Sequence, residues 1–371
     1  MEQTSTTTAI KPVSEKDSLR LALLKFISCI AIIYIHAYTP QYSAFGTALN
    51  KLPLFRYIAE VFSQHMATVA LPVFLGISGY IYFSKQYSQK WYVFAMRKAK
   101  SILLPYLMWN TLTIAYIFVA QQPESLRNIF PANKVIANFS FENWINAYIG
   151  WGNEWYPFLY PLWFLPCLFA VFVLVHIFRQ YFYKYKWLIW VLTGLNIVSF
   201  AYVPLYRIMA DWGPFLRMLY SLSFFVAGKV LLEEKRFFES KLVLIVAAIV
   251  FASSVALSFS GLFPNIKWLV VSLYSGLTIV FIISGKAAEY CIKFPKHILF
   301  LSGFSFVIYL THEFALTAVL NFVYPALPLN SGIFLAVYFL LPLCLAASQI
   351  CCAWVLKKLL PQVYTLLFGG R

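Results

Sequence analysis

The sequence predicts an all-α protein that crosses a membrane about ten times, with both termini in the cytoplasm and no soluble domain. Three observations carry that expectation. Of 371 residues, 61% are hydrophobic and 11% are charged, which is more apolar surface than a soluble fold can cover. The apolar residues gather into runs close to the ~20 residues that a spanning helix needs. The cations are also distributed by side. With spans at 19–40, 61–83, 101–120, 157–178, 187–204, 215–232, 242–260, 267–285, 298–323 and 332–356, 22 Lys and Arg fall at one face and seven at the other. The cytoplasmic face is the one enriched in Lys and Arg. The net charge of +16 is therefore a topological signal, and nucleic acid is not an expected partner. Membrane lipids are.

Residues 1–18 are polar and Thr-rich and read as a flexible cytoplasmic tail. They lack the short apolar core and small-residue cleavage site of a signal peptide, so the first span is expected to be retained. Residues 19–357 form the expected ten-helix membrane domain, and 358–371 a short cytoplasmic tail. The longest external segment, about 121–156, contains NFSFENWIN, which suits a short interfacial helix. The six cysteines have no CxxC or metal-like spacing. They read as buried or reduced thiols, and no metal is expected.

The first span, LLKFISCIAIIYIHAY over 23–38, carries Lys25 and His36. Eleven residues at ~100° each come to about 20° beyond three full turns, so both side chains project from one face, ~16 Å apart along the axis. An ionisable group at membrane depth costs at least ~2.5–3.5 kcal/mol and calls for a bundle interior or a wet cavity. Plainer readings stand beside this one. Lys25 could snorkel to the headgroups, and His36 could be a hydrogen-bonded interfacial histidine.

A second polar pair, His312 and Glu313, sits in the ninth span. Adjacent on a helix, the two side chains point ~100° apart and need not pair. Glu154 lies with Trp151, Trp155 and Trp163 near the expected outer mouth. Aromatic faces and a carboxylate suit a sugar, and an interfacial aromatic belt accounts for the tryptophans equally well.

Lys25-x10-His36 resembles the Arg/Lys-x10-His motif in the first span of the membrane acyltransferase 3 family, ten-helix O-acyltransferases of surface glycans. Lysine replaces the more usual arginine, which keeps the charge and loses the bidentate fork. Four further stretches follow in family order. LPVFLGISGYIYF (71–83) is similar to the Phe-rich Ser-Gly segment, with Phe74, Ser78 and Gly79. RKAKSILLPYLMWN (97–110) is similar to the basic start of the third span, with Arg97, Lys100, Pro105, Tyr106 and Trp109. PLWFLPCLF (161–169) matches the Trp-Phe-Leu motif at Trp163. LSGFSFVIYLTHEF (301–314) matches the late span ending in Tyr-Leu-x-His, at Tyr309 and His312.

The resemblance implies transfer of an acyl group, most often acetyl, from cytoplasmic acetyl-CoA or another acyl-CoA to a glycan hydroxyl, in the bacterial inner membrane and with no bound cofactor. A neutral imidazole can act as general base toward a sugar hydroxyl, the role expected of His36. An acyl-enzyme intermediate is the alternative course. Lys25 is expected to hold a donor phosphate or steer the thioester arm. Arg97 and Lys100 are expected at the nucleotide phosphates, although the inner-face charge bias alone would place cations there. Ser78 and Gly79 would let the pantetheine arm, or simply a neighbouring helix, pass closely. Pro105 would kink the third span. His312, Glu313, Glu154, Trp155 and Trp163 are expected at the acceptor. Some family members carry a further extracytoplasmic hydrolase-like domain. The expectation here is a bundle that acts alone or hands its acyl group to a separate partner, such as a glycan-assembly enzyme. A lipid-linked glycan transporter or flippase, and a non-catalytic sensing module, are the competing functions; the transporter would be strengthened by inverted repeats or discontinuous helices.

Overall fold

The structure is a computed structural model that describes residues 13–38, 43–85, 87–123, 135–150, 157–208 and 213–370. Among them the secondary structure is helical, apart from an isolated antiparallel bridge between Tyr202 and Ile266. Ten helices build the bundle: α1 (Glu15–Ala37), α2 (Pro53–Phe83), α3 (Trp91–Ala120), α4 (Tyr160–Ile177), α5 (Trp187–Ala201), α6 (Gly213–Glu233), α7 (Lys241–Ser260), α8 (Leu269–Cys291), α9 (Ser305–Val323) and α10 (Ser331–Leu359). Eight of these, all but α5 and α9, are long and apolar enough to cross a membrane by length and composition among the described residues. The fifth expected span is shortened to a 15-residue apolar helix. The ninth is divided at Phe304, with a short helix Pro295–Gly303 leading into α9.

The first helix starts earlier than its apolar run because Ser14 caps it. Its Oγ accepts from the Asp17 amide at 3.1 Å, satisfying one of the orphan donors at the helix start. Asp17 in turn accepts from Lys235 Nζ at 2.6 Å, which ties this end of α1 to the chain just beyond α6. Residues 15–18 are thus helix, not tail. The far terminus is also structured: Pro361–Phe368 form a helix packed on α3, and Trp109 Nε1 donates to the Leu367 carbonyl at 3.0 Å. The expected interfacial helix spans Phe141–Ile149, with a reciprocal cap between Ser140 and Asn143. Gly150 ends it at a φ of 64°, a conformation open to glycine and strained for other residues.

Among the described residues, α2 and α3 depart from regular α geometry. In α2 a π-helical turn at Val61–Met66 precedes the segment Ala70–Phe83. In α3 a π-helical turn at Ala99–Leu103 immediately precedes Pro105, which has no N–H to continue the ladder. The irregularity in the third span is this π-helical turn ahead of the proline.

The core lies where α1 meets α2, α8, α9 and α10, with α4 and α6 completing it around α2. Against it, α2 and α6 come into backbone contact. A Cβ at Gly79 would overlap the Phe225 carbonyl oxygen, and one at Gly228 would overlap the backbone of Gly76 and Tyr80. Only glycine permits that approach. α7 lies on the flank against α8, with most of its surface exposed, as suits a lipid-facing helix.

Candidate active site

α1 and α9 set the site. The Cys29 thiol donates to the Ser305 carbonyl at 2.9 Å, and two turns further on the His36 and His312 rings lie 5.0 Å apart. Both contacts join residues 276 positions apart, so the two helices run parallel and in register. Lys25 and His36 share the face of α1 that their spacing predicts, and α9 brings His312 and Glu313 to the His36 end of it.

His36 Nδ1 lies 3.3 Å from a Glu313 carboxylate oxygen. The two are at ion-pair distance, not in hydrogen-bond geometry; a carboxylate accepts, so a ring turn that let Nδ1–H donate to it would leave the Nε2 lone pair for a substrate. His312 Nδ1 is 2.7 Å from the Tyr309 carbonyl oxygen, which can only accept. Its Nε2 therefore also carries a lone pair, and that atom is buried without a hydrogen-bond partner. Adjacent His312 and Glu313 do not pair with each other, as their ~100° divergence requires; each reaches toward His36. The Tyr160 ring, in the turn that opens α4, lies 5.8 Å from His36, edge to face.

One ligand atom from each of His36, His312 and Glu313 falls within 4.8 Å of the others. Two imidazoles and a carboxylate are a donor set that suits a divalent transition metal, and the same atoms equally form a base and its orienting partners.

Below this cluster lies an apolar cavity of about 260 Å³, lined by Lys25, Cys29, Ser78, Ser305 and Tyr309 among the walls of Phe74, Ile77 and Phe164. A second cavity of about 310 Å³ shares Lys25, Ile77 and Ile81 with it and adds Ser18 and Lys85. The two adjoin at Lys25. Arranged end to end, they line a slot from the N-terminal end of α1 to Tyr309 with Lys25 on the wall between them; the Tyr309 hydroxyl donates to the Pro161 carbonyl at 2.5 Å. Tyr309 and Phe164, with ring centroids 5.9 Å apart, form the end wall on the histidine side.

The remaining expected site residues are distributed unevenly. Ser78 faces the slot, whereas Gly79, next to it, points into the contact with α6. Arg97 and Lys100 are exposed on the surface, outside the cavity lining. Between them, Lys98 lies over the Phe172 ring at 3.7 Å. Trp163 ends the turn Tyr160–Trp163 with its ring 6.3 Å from that of Phe164. Glu154 and Trp155, like Trp151, lie outside the described residues. Lys85 and Ser305 were not singled out by sequence reasoning. An inner-face lysine looks like any topological cation, and one serine among many in an apolar span gives no signal.

No solved structure matches the chain. The succinoglycan biosynthesis protein ExoH of Rhizobium meliloti (strain 1021) is 23% identical over 190 residues, a stretch covering 51% of this chain and 48% of that protein. The chain therefore spans about half the length of that relative. The model of the acyltransferase domain family matches residues 19–356, nearly the whole bundle. The chain belongs to the membrane acyltransferase 3 family.

Proposed function

We propose that this multi-pass membrane acyltransferase moves an acyl group, acetyl in the simplest case, from a cytoplasmic acyl-CoA to a hydroxyl of a cell-surface or lipid-linked glycan. The observation that carries the reading is the pair of adjoining cavities at Lys25, which point along α1 toward an imidazole beside a carboxylate. The positive-inside distribution supports a cytoplasmic position for the Lys25 end, the side on which acyl-CoA is found, in a bacterial inner membrane. The name of the ExoH relative supports a glycan acceptor.

The dimensions support the donor. Lys25 and His36 are separated by ~16 Å along α1. In coenzyme A, 13 bonds separate the thioester sulfur from the nearest phosphorus, which extended is also about 16 Å at the reach per bond of a polypeptide. A phosphate paired with Lys25 thus sets the thioester beside His36. Passage of the acyl end requires the Tyr309 hydroxyl to release the Pro161 carbonyl.

His36 Nε2 takes the proton of the acceptor hydroxyl as its oxygen bonds to the thioester carbonyl carbon. The tetrahedral intermediate collapses with cleavage of the C–S bond, and the imidazolium returns the proton to the departing thiolate. Glu313 holds the tautomer and stabilises the imidazolium, a positioning role. His312 Nε2, an acceptor, orients a neighbouring sugar hydroxyl. Transfer is direct in this reading, and the three side chains act as base and orienting partners; a chelator is then expected to leave the rate unchanged, whereas a loss of activity restored by a divalent cation would assign them to a metal.

The test is transfer of labelled acetyl from acetyl-CoA to extracted glycan by purified protein in detergent or vesicles. Wild-type protein should label the glycan and His36→Ala should not. Undiminished labelling by the variant would remove His36 from the mechanism. Glycan movement across vesicles with no donor binding would replace the reading with transport.

A further inference from the structure

We propose that Ser305 is a donor-binding residue. Its hydroxyl, with Ser78 on the facing wall, forms a polar subsite partway along the apolar slot that takes the second amide of the pantetheine arm of acyl-CoA. The inference rests on the acyl-CoA reading above and deepens it.

Ser305 is the first residue of α9, set by the break at Phe304. It lines the cavity and is completely buried, and its Oγ has no hydrogen-bond partner. Buried hydroxyls are nearly always satisfied, so an orphaned one facing a cavity points to a missing polar ligand. Two polar groups beside it are already engaged. The Cys29 thiol donates to the Ser305 carbonyl, and the Tyr309 hydroxyl donates to Pro161. The site also lies at the positive end of a 19-residue helix, which favours a carbonyl oxygen.

Register identifies which carbonyl. Ser305 is level with Cys29, seven residues before His36 on the same face, which is about 10.5 Å. With the thioester sulfur at His36, the first amide carbonyl carbon is four bonds away and the second eight. Extended, those bonds span about 5 Å and about 10 Å respectively. The second amide comes level with Ser305, and the first falls at the Tyr309 wall.

The test compares two donors of different length. Acetyl-CoA carries both amides, whereas the N-acetylcysteamine thioester of acetate keeps the first and lacks the second. Ser305→Ala is expected to raise KM for acetyl-CoA about five- to tenfold, the effect of losing one hydrogen bond, and to leave kcat/KM for the truncated donor unchanged. Ser305→Thr, which keeps a hydroxyl, should restore most of the affinity, and CoA binding measured directly should follow the same order. Equal losses with both donors would assign Ser305 to packing and overturn the proposal. CoA binding to wild type and Ser305→Ala with equal affinity would overturn this inference alone. Failure of wild type to bind CoA would overturn the donor reading and this inference with it.

Discussion

Two helix pairs in this bundle meet in opposite ways. α2 and α6 touch backbone to backbone through Gly79 and Gly228. α1 and α9 are parallel and in register, and polar groups meet between them: the Cys29 thiol with the Ser305 carbonyl, and His36 with His312 and Glu313. In lipid, helices gain little from burying apolar side chains against each other, so close packing has to hold the frame. The glycine contact supplies rigidity there. The polar contact spends some of that stability on holding ionisable groups where chemistry can use them. Substitutions in the first pair should therefore act on stability, and those in the second on turnover.

The largest effect is expected at His36. His36→Ala should lower transfer about 10²–10⁴-fold, with the thermal unfolding midpoint in detergent within a degree or two of wild type. A large fall in that midpoint would erase the distinction between the pairs. Glu313→Gln keeps the shape and loses the charge that stabilises the imidazolium. It should lower kcat by up to about 10²-fold, the scale of a misoriented catalytic group, with KM for the donor unchanged. Gly79→Ala is the converse case. The added methyl must push α6 away, at a cost of about 1–3 kcal/mol, visible as a lower midpoint and lower yield. Any protein that does fold should turn over nearly normally.

The two pairs also differ in how far they could be read from sequence. The spacing of Lys25 and His36 fixes a shared face on α1 whatever packs against it, and the bundle bears that out. The convergence of His312 and Glu313 on His36 was not legible. Their ~100° divergence within one helix says nothing of a third residue on another helix that both can reach. Ser78 and Gly79 were read together, yet one faces the slot and the other α6. One residue along a helix turns a side chain by ~100°, and only the neighbours decide which direction is functional. The shortened α5 and the break before α9 depend on tertiary packing that hydropathy does not encode.

The smallest effects separate the slot from the surface outside it. Lys25 lines the slot, whereas Arg97 and Lys100 are exposed. If all three meet donor phosphates, they do so in different dielectrics. An enclosed pair is screened little by salt, while exposed charges lose most of their interaction beyond a Debye length of ~8 Å at physiological ionic strength. Lys25→Ala should raise KM for acyl-CoA about tenfold, the scale of a charge-assisted hydrogen bond, and the ratio to wild type should persist at 0.5 M salt. Arg97→Ala with Lys100→Ala should raise KM about two- to threefold at low salt, with the difference gone at 0.5 M. A salt-resistant loss in that double variant would mean that the nucleotide brings Arg97 or Lys100 into an enclosed site. The slot would then extend onto the start of α3.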